Sequence, residues 1–227
     1  MRAWLQRSLW DKVPRDHRES PERLRRRQLV TAVGLVLGAV VLGVSLRIEP
    51  GSPWFYIGSL GLSLLWAGAA FASGPLHLGR ISGADGLRRP VLSPVLLAAG
   101  LVLVFVLGGL VVREVPFLDR QVTDVVAHAV PGAWPLVASI TAVTGVAEEL
   151  FFRGAAYAAT PWRPVLVTTT LYTLATVATG NVMLTFAAGV LGLVVGLERR
   201  ASGGILAPIL THVTWSLSML VVLPALF

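Results

Sequence analysis

Stretches without a charged residue divide the chain into predicted membrane spans. A helix that crosses a bilayer needs about 20 apolar residues. The charge-free stretches are 28–46, 50–79, 90–112, 125–147, 164–197 and 201–227. The turn-type cluster Thr179-Gly180-Asn181 divides the longest stretch into two rather short helices. The pattern therefore predicts seven spans, at about 28–46, 53–74, 91–112, 133–152, 163–178, 182–198 and 204–226.

Composition points to the same class of protein. Hydrophobic residues make up 55% of the 227 positions and charged residues 14%, which is too apolar for a soluble or a disordered domain. We therefore predict an all-α fold, a polytopic bundle of about seven transmembrane helices. The absence of cysteine from the sequence excludes a disulfide framework, a thiolate metal site and a cysteine nucleophile.

Basic residues indicate the orientation of the predicted spans, because lysine and arginine are enriched in cytoplasmic loops. With the N-terminus inside, nine of the 19 basic residues lie in the N-terminal arm and seven in the other inner segments. The outer segments hold only Arg47, Arg113 and Arg120. We therefore predict a multi-pass protein of the plasma (inner) membrane, with its N-terminus in the cytoplasm and its C-terminus outside.

The chain is predicted to have three regions. They are a basic cytoplasmic arm at 1–27, three N-terminal spans with their loops at 28–132, and a four-helix core at 133–227. The arginines nearest the membrane edge are Arg23, Arg25, Arg26 and Arg27. Each is expected to attract anionic lipid headgroups by about 1 kcal/mol. Nucleic acid is not an expected partner, because the arm is mixed in sign and tied to a bilayer.

Ionisable side chains inside the predicted spans are few, and their cost in a membrane marks them as functional candidates. Glu149 and Arg153 are four residues apart, so they share a helix face and can form an ion pair. Glu148 is turned about 100° away without a local cation, and such a carboxylate is suited to act as a general base on water. The alternative is an ordinary helix end, with both glutamates at the interface and Arg153 snorkelling.

The last predicted span carries a second pair of polar side chains. His212 and Ser216 are four residues apart and lie on one helix face. Together they offer an imidazole and a hydroxyl that can polarise a carbonyl or stabilise an oxyanion. The alternative is that His212 hydrogen-bonds a neighbouring helix and only holds the bundle together.

The residues around these side chains resemble a known family. Its first motif, E-E-x-x-x-R, is intact from Glu148 to Arg153. Its last region combines a glycine-spaced helix, a basic turn and A-P-I-x-x-H, and is similar from Phe186 to His212. Over about 134–220 the chain resembles the CPBP family, membrane-embedded proteases related to type II CAAX prenyl endopeptidases and grouped with bacteriocin-processing and bacteriocin-immunity proteins.

Two positions depart from the motifs of that family. Where the family has F-x-x-x-H on the helix after the first motif, this chain has Tyr172 and Thr176. Ser216 stands where the family has asparagine four residues after its last histidine. A threonine hydroxyl can hydrogen-bond a water, but it cannot accept a proton near neutral pH or act as a strong metal ligand.

The resemblance implies a role for each matching residue. Glu148 would activate the attacking water, with Glu149 and Arg153 in support. The oxyanion would be stabilised by His212 and Ser216, with Thr176 standing in place of the middle histidine. The candidates for a metal site are Glu148 and His212, but zinc is poorly supported because a second imidazole is missing.

Three functional hypotheses follow from these residues. In the first, the chain is an endopeptidase that cleaves a peptide or membrane-protein substrate. Counted from the inner helix ends, Glu148 and His212 differ in depth by about 5 Å, so we expect one cavity, open to the cytoplasm. In the second, suggested by the missing histidine, the chain is catalytically inactive and acts as a membrane binding or assembly factor. In the third, the buried acids relay protons in a small transporter.

Overall fold

The computed structural model describes residues 2–14, 19–49, 51–83, 86–129 and 134–227. Within these residues the chain is almost entirely helical, with a single two-stranded hairpin. The helices are α1 (Arg2–Leu5), α2 (Pro21–Ser45), α3 (Pro53–Ser73), α4 (Leu92–Val112), α5 (Pro116–Ala129), α6 (Trp134–Glu149), α7 (Tyr157–Ala159), α8 (Pro164–Val177), α9 (Val182–Ser202) and α10 (Leu206–Leu226). Two π-helical segments, Gln6–Trp10 and Leu150–Ala156, continue α1 and join α6 to α7. The predicted all-α bundle is confirmed.

Six helical segments among the described residues are long and apolar enough to cross a membrane. They are α2, α3, α4, the continuous segment Trp134–Ala159, α9 and α10. The predicted fifth span corresponds to α8, which has only 14 residues and is about 21 Å long, against about 30 Å for a bilayer core. The turn after Val177 ends this helix early, so one of the seven predicted spans is too short to cross alone.

Helix boundaries differ from the predicted spans where the caps lie beyond the charge-free stretches. The first predicted span begins at 28, but α2 begins at Pro21, where the Ser20 side chain accepts a hydrogen bond from the amide of Arg23. Proline at the first position and a capping serine favour that start, and arginine is a good helix former. The predicted start of the fourth span, residue 133, lies outside the described residues.

Two elements occupy regions that the sequence predicted to be loops. The segment between the third and fourth predicted spans contains α5, and its Gln121 binds the start of α9 through the Asn181 side chain and the Val182 amide. The segment between the second and third spans contains strands β1 (Ile81–Gly83) and β2 (Gly86–Arg88), which pair antiparallel. Both elements were missed because the prediction considered only segments long enough to span.

The N-terminal arm packs against the bundle at the end where most arginines lie. The amide of Val13 donates to the carbonyl of Ala201 at 3.2 Å, and Arg200 Nη2 donates to the carbonyl of Leu9 at 3.4 Å. We call this end of the bundle the basic end. Its described residues are 2–14, 19–27, 77–83, 86–89, 157–163 and 199–206.

Arg27 lies inside the protein and not at a lipid surface. It is 1% exposed and forms an ion pair with Glu19, with its Nε 3.0 Å from Glu19 Oε2. The sequence predicted that it would face lipid headgroups, and for this residue the prediction is wrong because Glu19 and Ser73 bind its guanidinium. Arg23, Arg25 and Arg26 are exposed.

The backbone closes the basic end by pairing two distant segments. The amide of Arg80 donates to Ser202 O at 2.8 Å, and the amides of Ile205 and Leu206 donate to His77 O and Leu78 O at 2.9 and 3.1 Å. The pairing brings the backbones so close that a Cβ on Gly204 would lie 2.0 Å from the Gly79 nitrogen. Only glycine fits at this position.

We expect Gly204→Ala to lower the free energy of unfolding by about 1–3 kcal/mol, the cost of forcing an atom into a packed site. The measurement is thermal unfolding of the detergent-solubilised protein. Gly100→Ala is the matched control, because a Cβ at Gly100, in α4, would meet nothing within 4 Å. It should be neutral or stabilising by about 0.5–1 kcal/mol. Equal stability of the two variants would contradict the close approach.

Candidate active site

The segment Trp134–Ala159 carries the glutamates into the centre of the bundle. All six residues from Phe151 to Ala156 are buried, because α2, α3, α8 and α9 surround the π-helical segment. A π segment widens the helix and turns successive side chains through a smaller angle than an α-helix does. Glu148, Glu149 and Arg153 are all buried, so they point into the protein and not into lipid.

Glu149 is the centre of a buried network of three charged or ionisable groups. Its Oε1 lies 3.2 Å from Arg153 Nη1 and 2.7 Å from His212 Nδ1. Glu149 and Arg153 are both 0% exposed. The spacing of four residues predicted the ion pair, and the structure shows it; the contact with His212 joins α6 to α10.

Arg153 is held on three sides. Its Nη2 donates to the carbonyl of Gly192 at 3.0 Å, and its guanidinium lies over the Tyr172 ring at 4.9 Å. Its own carbonyl accepts a hydrogen bond from Arg199 Nε at 2.6 Å. The snorkelling alternative is excluded for this side chain, because Arg153 is completely buried.

Glu148 has different contacts from its neighbour Glu149. Its Oε2 accepts a hydrogen bond from the Tyr172 hydroxyl at 2.6 Å and lies 3.8 Å from His212 Nε2. The residue is 9% exposed, so one side of it reaches open space. His212 thus stands between the two glutamates, with its Nδ1 toward Glu149 and its Nε2 toward Glu148.

A cavity of about 340 Å³ adjoins Glu148 and His212. Thr176 and Ser216 also line it, so the structure brings four of the six predicted site residues to one cavity, and the other two lie in the network behind it. The remaining lining is largely apolar. Among the described residues that line the cavity, the carboxylate is that of Glu148 and the imidazole is that of His212.

The cavity extends away from the basic end. Its wall includes Leu46 at the end of α2, Phe55 near the start of α3, Val126 of α5, Thr179 after α8 and Pro224 near the end of α10. All these positions are at the end of the bundle opposite the arm. On the basic side of Glu148 the interior is filled, because the side chains of Phe151, Phe152 and Arg153 are 0% exposed.

A family comparison fits this geometry. Residues 130–218 match the family model described as "Type II CAAX prenyl endopeptidase Rce1-like". This segment of the chain is similar to that family. It contains both glutamates, the imidazole and the hydroxyls that the structure gathers, and its first four residues lie outside those the structure describes. No curated protein and no solved structure matches the chain.

Thr176 stands where the family motif has its middle histidine, and its side chain bonds its own helix. Its hydroxyl donates to the carbonyl of Tyr172 at 2.9 Å, the usual local bond of a threonine inside a helix. The side chain is 7% exposed and forms part of the cavity wall. Thr176 therefore borders the site without directing a proton donor at Glu148.

Tyr172 is the site residue that the sequence did not identify. The prediction treated it only as the aromatic position of F-x-x-x-H, yet its hydroxyl binds Glu148. The sequence did carry one signal for this role: tyrosine at position 172, where the family motif has phenylalanine, adds a hydroxyl that can donate a hydrogen bond to the predicted base. The partner could not be read from spacing, because Tyr172 and Glu148 lie on different helices.

The donor set around Glu148 does not fit a catalytic zinc ion. Such sites supply three protein ligands, and the described residues contain no group of three or more histidine, cysteine, aspartate or glutamate side chains that could hold a metal. The two candidates, Glu148 and His212, supply only two ligands, one fewer than such a site needs. We derive no metal-dependent step.

Proposed function

We propose that the protein is a membrane-embedded endopeptidase in which Glu148 activates a water molecule for attack on a peptide bond. The observation that carries the proposal is the position of Glu148, a buried carboxylate at the base of a largely apolar cavity, held by Tyr172 and beside His212. The match of residues 130–218 to a family of prenyl endopeptidases supports the same reaction class.

In the proposed reaction Glu148 takes a proton as the water oxygen attacks the carbonyl carbon of the substrate. The carbonyl oxygen becomes negatively charged in the tetrahedral intermediate. When the intermediate collapses, the carbon–nitrogen bond breaks, and the proton on Glu148 passes to the leaving amine. A positioned base of this kind contributes about 10²- to 10⁴-fold to the rate.

His212 and Ser216 are proposed to stabilise the oxyanion. Glu149 holds the ring of His212 through Nδ1 at 2.7 Å, which fixes the direction of Nε2 toward the cavity side. With Nε2 protonated, the ring can donate to a developing negative charge in a site with little water. Ser216 lies one helical turn further along α10, lines the same cavity and supplies a second donor.

The orientation of the chain in the plasma membrane also belongs to the proposal. We propose a cytoplasmic N-terminus and an outer C-terminus, because the arginine distribution favours it. On that orientation the cavity would extend toward the outer surface, since it runs away from the basic end. The sequence predicted a cytoplasmic N-terminus together with a cavity open to the cytoplasm, and these two predictions do not agree with each other on this geometry.

The test compares new protein termini in cells that lack the native gene and express matched amounts of wild type or Glu148→Ala. We expect a set of termini that appears with wild type and is lost with Glu148→Ala. Glu114→Gln is the matched control, because Glu114 is an exposed carboxylate at the end of α4, and it should give the wild-type set. The lost termini identify the substrate.

Identical terminus sets for wild type and Glu148→Ala, with both proteins folded in the membrane, would overturn the protease proposal. That result would favour a catalytically inactive protein whose cavity binds another membrane protein. Pull-down of the same two variants would then be the next measurement.

A further inference from the structure

Packing contacts hold the ring of Tyr172 and set the direction of its hydroxyl. The side chain is 8% exposed, and its ring lies 4.8 Å from the Phe152 ring and 4.9 Å from the Arg153 guanidinium. Contacts on the ring leave the hydroxyl directed at Glu148 Oε2, 2.6 Å away. A hydrogen bond between a hydroxyl and a carboxylate is short and strong, and here it joins α8 to α6.

Two other polar groups of this wall do not hydrogen-bond Glu148. His212 Nε2 is 3.8 Å from Glu148 Oε2, beyond hydrogen-bond distance. The Thr176 hydroxyl donates to its own helix at 2.9 Å. Within the part of the chain that the structure describes, the side-chain hydrogen bond to Glu148 thus comes from Tyr172.

We propose that Tyr172 is the positioning residue of the catalytic glutamate. Its hydroxyl holds Oε2 of Glu148, which orients the carboxylate and leaves Oε1 to receive the proton of the attacking water. The phenol oxygen keeps a lone pair that can accept a hydrogen bond from the same water. Helix α8 thereby positions the glutamate through Tyr172, whereas position 176, where the family motif has histidine, is a threonine in this chain. This inference rests on the proposed function.

The first variant removes only the hydroxyl. Tyr172→Phe keeps the ring between Phe152 and Arg153, so the variant should still fold, with a lower midpoint of thermal unfolding because Glu148 loses a buried hydrogen-bond partner. We expect the Glu148-dependent termini to form about 10- to 100-fold more slowly, the scale of one hydrogen bond to a charged group. Tyr157→Phe is the matched control, because Tyr157 is also buried but its ring lies against Arg199 outside the cavity; it should cleave like wild type.

The second variant separates positioning from packing. Position 176 lies one helical turn from Tyr172 on the same cavity wall, so Tyr172→Phe combined with Thr176→His supplies a new donor near Glu148. We expect the double variant to regain most of the cleavage rate lost in Tyr172→Phe. A group that only filled space would not be replaced by a histidine four residues away.

The outcomes distinguish the inference from the proposed function. Wild-type cleavage by Tyr172→Phe, or no regain in the double variant, would each overturn the positioning role while leaving Glu148 as the base. Absence of Glu148-dependent termini with the wild-type chain would overturn the proposed function, and the inference with it.

Discussion

Replacing Arg153 with methionine is expected to lower the free energy of unfolding by about 3–5 kcal/mol, because it leaves a buried carboxylate without its cation. Glu149 and Arg153 are both 0% exposed and lie 3.2 Å apart. The substitution also removes the hydrogen bond to Gly192 and the contact with the Tyr172 ring. Reversible unfolding of the purified protein in detergent measures the change.

Two controls test whether the loss comes from the unpaired charge. Glu149→Gln combined with Arg153→Met removes both charges, so it should be more stable than Arg153→Met alone. Arg113→Met removes an arginine whose side chain is 46% exposed and pairs with Glu114, and it should change stability by less than about 0.5 kcal/mol. An equal loss in Arg153→Met and Arg113→Met would contradict the buried network.

Local spacing predicted the parts of the site that lie on one helix. Glu149 and Arg153 pair because positions four apart share a helix face. His212 and Ser216 line one cavity for the same reason. Contacts between helices were not readable in this way, since the bond from Tyr172 to Glu148 and the bond from His212 to Glu149 join residues 24 and 63 positions apart.

Charge patterning predicted the bundle but not the fate of each charged side chain. It treated Arg27 as part of a lipid-facing group, and the structure buries it against Glu19. It also assigned Arg199 to an inner turn, whereas Arg199 is 5% exposed and binds the carbonyl of Arg153. A tertiary fold can bury a charge by providing a partner from a distant segment, and hydropathy carries no information about such partners.

The shortness of α8 has a consequence for the site. A helix of 14 residues that begins at Pro164 is shorter than a bilayer core is thick, and its C-terminal end lies near α5, where Asn181 and Val182 bind Gln121. That end carries Tyr172 and Thr176, and it is followed by Thr179 in the cavity wall. Non-helical backbone beside membrane helices is tolerated where it lines a cavity, and Thr179 lines the cavity here.

Single cysteines are expected to show that the cavity is reached from the side of the membrane opposite the N-terminal arm. The chain contains no cysteine, so each introduced thiol is the only target of a membrane-impermeant thiol reagent. Thr141→Cys lies in the cavity wall on α6. We expect it to react in intact cells, because the cavity extends from Glu148 toward the starts of α3 and α6.

Two reference positions define the sides of the membrane. Thr123→Cys, on an exposed position of α5, should react in intact cells, whereas Ser82→Cys, exposed in β1 at the basic end, should react only after the membrane is opened. Reaction of Ser82→Cys in intact cells would reverse the proposed orientation. If Thr141→Cys, like Ser82→Cys, reacts only after the membrane is opened, the cavity is reached from the arm side. A substrate would then have to pass the layer of Phe151, Phe152 and Arg153, which is completely buried in this structure.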